Sequence, residues 1–156
     1  MKSLLTSYFQ LENPQSFQPT HMESHLELQP TGNIQLHGYV DRIDVATTGE
    51  VRIVDYKTGK SPRSGYEEKA LFQLRFYALL WWRLHDEVPK LLQLLYLGDQ
   101  RSLKSTPSIK DLERTEEKTY QIGDDIKTSL IKDYWPTQKS KLCDWCSFKS
   151  ICPAFN

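Results

Sequence analysis

Two short segments of the chain carry the residue types that could do chemistry. The first contains Asp41, and the second contains Asp55 with Lys57 two residues later. Alternate residues of a β-strand share a face, so Asp55 and Lys57 would lie together, and a hairpin would bring Asp41 alongside them. Two converging carboxylates form a hard-oxygen site that suits Mg²⁺ or Mn²⁺. With a lysine to orient water or stabilise charge on a phosphate, this combination indicates phosphodiester hydrolysis.

The same residues also have a purely structural interpretation. Asp and Lys are common as solvated residues near hairpin ends, and Asp-x-Lys by itself is a weak signal. The position of Asp55 at the end of a strongly hydrophobic strand favours a site. Asp44 has the opposite strand parity to Asp41, which predicts that it pairs with Arg42, Arg52 or solvent.

Hydrophobic periodicity predicts the elements that position these residues. The expected elements are a helix over 1–9, strands over 21–28, 34–45, 51–57 and 91–97, a helix over 67–84, an edge strand or loop over 100–110, and a helix over 111–133 that is interrupted or weakened at Gly123. A turn is expected at residues 30–33. The predicted fold class is therefore α/β, with a small mixed β-sheet flanked by helices.

Strict alternation within residues 34–45 predicts two distinct faces for that strand. One face would carry Ile34, Leu36, Gly38 and Val40. The other would carry His37, Tyr39, Asp41 and Ile43.

Composition and charge narrow the class of protein. A chain of 156 residues with 38% hydrophobic residues fits one compact domain. No apolar run approaches the roughly 20 residues that a membrane span needs, and the N-terminus lacks the features of a signal peptide. We therefore expect a cytoplasmic protein without a membrane partner. The net charge is zero, but residues 1–50 are acidic while residues 51–84 and 127–156 are basic. This distribution could place metal ions in the acidic part beside a polyanion bound by the basic parts. Ordinary mixing of surface charges would give the same distribution.

Four segments together carry a family resemblance. They are Gly-Tyr-Val-Asp-Arg-Ile-Asp at 38–44, Val-Asp-Tyr-Lys-Thr-Gly-Lys at 54–60, Gln-Leu-Arg-Phe-Tyr at 73–77, and the closing Cys143-x2-Cys146-x5-Cys152-Pro153. In this order they resemble the PD-(D/E)xK nucleases of the RecB-like exonuclease family, from about Glu23 to Pro153. The resemblance implies a restriction-endonuclease-like core over residues 1–136, lacking an upstream helix. It also implies a cysteine-rich tail over residues 137–156 packed on that core.

The resemblance assigns a role to each matching position at the metal site. Asp41 and Asp55 would be metal ligands, with the backbone carbonyl of Tyr56 as a third ligand. Lys57 would be the catalytic lysine. Glu23 stands where relatives often have an acidic residue on the preceding strand, and it would be a further metal ligand. The cofactor implied is Mg²⁺ or Mn²⁺.

The resemblance also implies residues that meet the substrate. Gln73 and Tyr77 match the family's Gln-x3-Tyr motif, and their spacing places them on one helix face. There they would line the site or contact DNA, although ordinary helix packing would explain the same spacing. Lys60 and Arg63 follow the lysine strand and are expected to contact DNA.

All three cysteines lie near the C-terminus, at Cys143, Cys146 and Cys152. Such clustering in a cytosolic chain suggests a metal or an iron–sulfur cluster rather than disulfides. The resemblance implies a [4Fe–4S] cluster, which normally takes four thiolates, with the fourth on a helix preceding Met1. The same missing region often carries a histidine ligand to the catalytic metal in relatives, so the chain would be a truncated or separately encoded piece, or would have lost part of both sites. Two other interpretations of the cysteines stay open. One is a zinc site in which His21, His25, His37 or His85 is the fourth ligand. The other is three reduced cysteines that bind no metal.

The function implied is a metal-dependent DNA nuclease, favoured as an exonuclease of recombination and repair. Its expected partners are DNA and a helicase subunit or domain. The intact set of Asp41, Asp55 and Lys57 supports catalysis. Two alternatives stay open: a non-catalytic DNA-binding or iron–sulfur scaffold module, which the missing upstream helix favours, and a nuclease of CRISPR adaptation.

Overall fold

The computed structural model describes residues 2–29 and 34–155, so the predicted turn at 30–33 lies outside the described residues. The chain forms two compact units, Met1–Thr119 and Tyr120–Asn156. Its elements in chain order are the helix α1 (Lys2–Leu11), the strands β1 (His21–Leu28), β2 (Leu36–Val45) and β3 (Val51–Lys57), the helix α2 (Glu68–His85), the strands β4 (Leu91–Tyr96) and β5 (Arg101–Ser105), and the helix α3 (Ile109–Lys132). Short 3₁₀ turns occur at Pro14–Ser16, Lys141–Trp145 and Lys149–Ile151.

The five strands form one mixed sheet in the order β1-β2-β3-β4-β5. β1, β2 and β3 pair antiparallel, β3 and β4 pair parallel, and β4 and β5 pair antiparallel. Two parallel neighbours need a long crossover connection, and α2 supplies it. The predicted α/β class with a small mixed sheet is confirmed.

The core lies between the sheet and α2. Ile43, Ile53 and Leu94 of the sheet and Leu74 and Leu80 of α2 are completely buried in one cluster. Burying a side chain of this size contributes about 1.5–3 kcal/mol. This packing makes β3 a rigid central strand, which matters because the candidate site lies at its end.

The strict alternation predicted for residues 34–45 is wrong in its second half. Val40 and Ile43 have opposite parity, yet both are completely buried in the same core cluster. The pairing of β1 with β2 skips Glu23 and Asp41, although residues on both sides of them pair. Glu23 also has a φ of 49°, a left-handed conformation that is uncommon for a residue with a side chain. The strand pair is therefore locally distorted beside Asp41.

The helix α3 runs without interruption through Gly123, so the interruption foreseen there does not occur. One glycine inside a helix costs only about 1 kcal/mol relative to alanine, which a long helix tolerates. No helix in the described part of the chain is both long and apolar enough to cross a membrane.

The second unit contains the cysteine segment. Ser140 begins the 3₁₀ turn at Lys141–Trp145, where its hydroxyl accepts a hydrogen bond from the Leu142 backbone N–H at 3.3 Å. The ammonium groups of Lys139 and Lys149 lie 4.6 and 5.0 Å from the ring centroid of Phe155. Cation–π contacts of this kind hold the segment to its own last residues.

Candidate active site

Asp55 is buried near the end of β3, in the centre of the sheet. Its side chain follows the face of Val51 and Ile53, so the strand's hydrophobic alternation aims it at the α2 side. Its Oδ2 lies 2.7 Å from Nζ of Lys57 as an ion pair, although without regular hydrogen-bond geometry within the described residues. Burial raises the pKa of Asp55; Lys57 works against that rise, and the charge of Asp41 adds to it. Burial therefore destabilises the ionised form of Asp55, and a bound cation would stabilise it.

Asp41 meets Asp55 from the neighbouring strand. The pairing of β2 with β3 ends at Arg42 opposite Val54, and the next step in the same register places Asp41 opposite Asp55. Oδ2 of Asp41 accepts a hydrogen bond from the backbone N–H of Tyr56 at 2.7 Å. The two carboxylates predicted from the sequence are therefore on adjacent strands and tied to the same stretch of backbone.

Lys57 is connected to α2 by a chain of hydrogen bonds. Its Nζ donates to Oε1 of Gln73 at 2.9 Å, and Nε2 of Gln73 donates to the hydroxyl of Tyr77 at 2.8 Å. The four-residue spacing on the helix makes this possible. The ring of Tyr77 in turn lies against Gly38, where a Cβ would come within 2.8 Å of Cε1. The structure thus brings Lys57, Gln73 and Tyr77 together as a unit that orients the ammonium group.

The loop after β3 is hydrogen-bonded to the turn between β4 and β5, a contact called the loop clamp below. The backbone N–H and the hydroxyl of Ser61 both donate to the carboxylate of Asp99, the hydroxyl at 2.6 Å. A Cβ at Gly98 would lie only 2.7 Å from the carbonyl carbon and oxygen of Gly59. Lys60 and Arg63 are exposed on this loop. Sequence analysis did not find the loop clamp, because nothing local marks Asp99 as a partner of a residue in another loop.

A buried ionic cluster lies behind the site. The guanidinium of Arg42 is 3% exposed, donates two hydrogen bonds to Glu12 at 2.8 and 2.9 Å, and also donates to the hydroxyl of Tyr56. Tyr56 donates to Glu12 at 3.1 Å. Burial acts to raise the pKa of Glu12, but the hydrogen bond and charge of Arg42 outweigh it and the pKa is lowered. As expected, Asp44 pairs with Arg52 at 2.7 Å and with Arg42 at 3.2 Å.

Glu12 was missed by sequence analysis. An isolated carboxylate after a helix has no local signal, and its partner Arg42 is far along the chain. The available hint was Arg42 itself, because a buried arginine on a hydrophobic strand needs a counter-ion.

The carboxylates of Asp41 and Asp55 fit a hard divalent cation, while the further predicted side-chain ligand, Glu23, is not grouped with them. Mg²⁺ is usually bound through one or two carboxylates, with waters and substrate phosphates completing its shell, and Asp41 and Asp55 match that description. Within residues 2–29 and 34–155, no group of three or more His, Cys, Asp or Glu side chains is arranged to hold a metal ion. Glu23 is exposed on the distorted part of β1 and does not complete such a group.

In the part of the chain that the structure describes, the three cysteines are not arranged as a metal-binding group either. Cys143 and Cys152 are half-buried and Cys146 is exposed. Sγ of Cys143 accepts a hydrogen bond from the backbone N–H of Ser140 at 3.3 Å, so this thiol has a role in the 3₁₀ turn. A four-thiolate cluster needs one ligand more than these three cysteines supply. The iron–sulfur site therefore stays a prediction.

Comparison with known proteins identifies the family. Gene 69 protein of Mycobacterium phage L5 is 31% identical over 129 residues, which cover 78% of this chain and 41% of the phage protein. Gene 69 protein of Mycobacterium phage D29 is 28% identical over 140 residues, covering 86% of this chain and 48% of that protein. The chain thus spans less than half the length of these curated relatives. A solved structure, that of SSO0001, has a TM-score of 0.48 and 18% identity, covering 87% of this chain and 60% of the other.

A model of the PD-(D/E)XK nuclease superfamily matches residues 2–153, nearly the whole chain. The mixed five-stranded sheet with flanking helices agrees with the restriction-endonuclease-like core of that superfamily. The narrower RecB-like assignment is not decided by this match and stays a prediction. The chain belongs to the PD-(D/E)XK nuclease superfamily.

Proposed function

We propose that this chain is the catalytic domain of a divalent-metal-dependent DNA nuclease of RecB-like type, acting on DNA ends as an exonuclease. Superfamily membership supports nuclease activity in general. The observation that carries the proposal to these residues is the contact of Lys57 with both Asp55 and Gln73, at 2.7 and 2.9 Å, beside a second carboxylate on the next strand.

Each residue has a distinct part in the proposed hydrolysis. Asp41 and Asp55 would hold the cation, whose chemistry when bound is to activate water and to offset phosphate charge. Lys57 is 33% exposed, so its ammonium can reach a phosphate from its fixed position. There it would orient the attacking water or stabilise the charge that develops on the phosphate oxygens. Gln73 would keep the lysine in that position, since Tyr77 holds the amide in turn.

The wider role is proposed on the resemblance of the motifs. The Gln73-x3-Tyr77 pair and the closing cysteine segment are typical of RecB-like exonucleases. We therefore propose action in DNA recombination or repair, with a helicase subunit or domain as partner. Because the chain spans less than half of its phage relatives, the activity and partners of a whole protein are part of this proposal.

The test is cleavage of end-labelled single-stranded and double-stranded DNA with Mg²⁺, with Mn²⁺ and with EDTA. We expect metal-dependent cleavage that EDTA abolishes and that Lys57→Ala lowers about 100-fold or more. Lys90→Ala is the matched control, since Lys90 is exposed immediately before β4. Mononucleotide products would support exonuclease action, and internal fragments would contradict it. Equal cleavage by Lys57→Ala and wild type would refute the site, while DNA binding without cleavage in any metal would favour a non-catalytic module.

A further inference from the structure

A cavity lies between α2 and α3, on a different side of α2 from the residues that position Lys57. Its volume is about 330 Å³, the size of a small ligand pocket. Glu68, Phe72 and Arg75 line it from α2, and their spacing places them on one helix face. Gln73, which holds Lys57, lies on another face of the same helix. The cavity is therefore separate from the candidate active site.

The other wall of the cavity belongs to α3. Asp111, Arg114, Thr115 and Lys118 line it, again on one helix face. Leu112 of the same helix is completely buried in the core cluster. Both walls lie within the first compact unit. The cavity is thus a feature of a single packed body.

Side chains tie α2 to α3. Nε of Arg83 donates a hydrogen bond to Oε1 of Glu116 at 2.8 Å. Nζ of Lys118 lies 4.7 Å from the ring centroid of Phe72, close enough for a cation–π contact. Because both walls are held before a ligand arrives, binding has a smaller cost in side-chain entropy.

Positive charge is in excess on these walls. Arg75 lines the cavity from α2, and Arg114 and Lys118 line it from α3, against the carboxylates of Glu68 and Asp111. A guanidinium offers several N–H donors in one plane, and an ammonium adds a compact charge. Donors of this kind on two facing helices suit an anion that has oxygens on more than one side.

The two carboxylates are already engaged. Oδ2 of Asp111 accepts hydrogen bonds from the backbone N–H and the hydroxyl of Ser108, at 2.9 and 2.6 Å. Those bonds lower the pKa of Asp111, and the charges of Arg75 and Arg114 lower it further. Oε1 of Glu68 lies 2.6 Å from Nη1 of Arg75, but the Glu68 side chain is 72% exposed. An ion pair so open to solvent contributes little to stability, so an anion can replace Glu68 on Arg75.

We propose that this cavity binds a phosphate group, with Arg114 and Lys118 as donors and Arg75 as a third donor when Glu68 moves aside. A tetrahedral phosphate presents oxygens to both helices at once, while a single carboxylate has two oxygens on one edge. The phosphate can be free, as inorganic phosphate or a nucleotide, or can belong to a DNA backbone. The inference does not depend on the proposed nuclease function, because the cavity shares no residue with the candidate site.

The first measurement is isothermal titration calorimetry of the full chain with inorganic phosphate in EDTA, at constant ionic strength. Arg114→Gln and Lys118→Gln should each weaken binding about 10-fold, the change expected when one charge-assisted hydrogen bond to the anion is lost. Lys110→Gln is the matched control, because Lys110 is exposed on the same helix and does not line the cavity. An equal loss in Lys110→Gln would overturn the proposal, since general charge would then explain the binding.

Glu68→Gln tests the cavity in the opposite direction. It removes the carboxylate that competes for Arg75, so inorganic phosphate should bind about 3-fold more tightly, as expected for an exposed charge. Glu113→Gln is its control, because Glu113 is exposed on α3 outside the cavity. Unchanged or weaker binding in Glu68→Gln would contradict the proposal. The replaced side chains are all exposed, so every variant should melt with the wild type when phosphate is absent.

The second measurement identifies the source of the phosphate. Binding of short double-stranded DNA is followed by fluorescence anisotropy in EDTA over a series of salt concentrations. A DNA phosphate in the cavity predicts that Arg114→Gln lowers the slope of log affinity against log salt by about 1. A free phosphate predicts unchanged DNA binding and weaker binding of inorganic phosphate in the same variant. If Arg114→Gln alters neither, the proposal is refuted. Both measurements are made without cleavage, so their outcome is distinct from success or failure of the nuclease proposal.

Discussion

Replacement of Gly98 by alanine should loosen the loop that follows the catalytic strand. Gly98 lies in the turn after β4 and donates its N–H to the Gly59 carbonyl at 3.1 Å, while the neighbouring Leu97 N–H donates to the Lys57 carbonyl at 2.8 Å. A Cβ at Gly98 would stand 2.7 Å from the Gly59 carbonyl and 3.0 Å from the Thr58 oxygen. These are backbone atoms, which cannot rotate away as a side chain can.

The size of the effect follows from those distances. Ordinary contact begins near 3.4 Å, so the two loops must separate by about 0.7 Å. Overpacking of this kind costs about 1–3 kcal/mol. Loss of the Gly98–Gly59 hydrogen bond adds about 1 kcal/mol. For a chain of this length we expect a melting temperature lower by about 5–10 °C, with slower cleavage because the Lys57 backbone is tied to the same turn.

The assay is thermal unfolding, followed by DNA cleavage below the melting temperature. Gly59→Ala is the matched control, since it lies on the other side of the same contact with open space around its Cβ position and no positive φ. It should change stability by less than about 0.5 kcal/mol. If Gly98→Ala melts with the wild type, or if both variants lose the same stability, the inferred close approach of the two loops is wrong.

Three further substitutions test the site and the cluster behind it. Asp55→Asn in EDTA should raise the melting temperature near pH 7, because the pKa of Asp55 is raised and its ionisation opposes folding as pH rises through that pKa. The gain in melting temperature should vanish in acid, where the wild-type carboxyl is also neutral. A lower melting temperature of the variant at pH 7 would contradict the raised pKa. Gln73→Leu should slow cleavage about 10-fold, because it removes the hydrogen bond that holds the Lys57 ammonium. The free energy of unfolding in urea should change by less than about 1 kcal/mol. A normal cleavage rate would show that Lys57 needs no positioning. Glu12→Ala should lower the free energy of unfolding in urea by about 3–5 kcal/mol, because it leaves Arg42 buried and unpaired. In the wild type, the contribution of the Glu12–Arg42 pair to stability should be lost as pH falls through the lowered pKa of Glu12. A loss below about 1 kcal/mol in the variant would mean that the pair is solvated.

The parts of the site that sequence could predict depend on short-range geometry. Asp55 and Lys57 share a face because strand side chains repeat every two residues, and Gln73 and Tyr77 share one because helix neighbours are four apart. The element bounds followed from the same periodicities. Asp44 was correctly expected to pair with arginine for this reason too.

What sequence could not predict depends on contacts between distant segments. The strand pair is distorted at Glu23, and Val40 and Ile43 are both buried although they differ in parity; no periodic rule contains such a break. The Glu12–Arg42 pair joins α1 to β2, and its geometry exists only after both elements have packed. Long-range pairing of this kind is set by tertiary packing and leaves no local pattern.

The crossover between β3 and β4 has a consequence for the order of folding. Asp41, Asp55 and Lys57 belong to a local antiparallel meander, which closes short loops. Gln73 arrives on α2, whose packing on the sheet is completed when β4, the next strand, pairs in parallel with β3, a contact between residues far apart in sequence. Short loops close at lower entropic cost than long ones, so we expect the carboxylates to meet before the residue that positions the lysine. Recovery of cleavage during refolding would then report the final docking of the helix rather than the formation of the sheet.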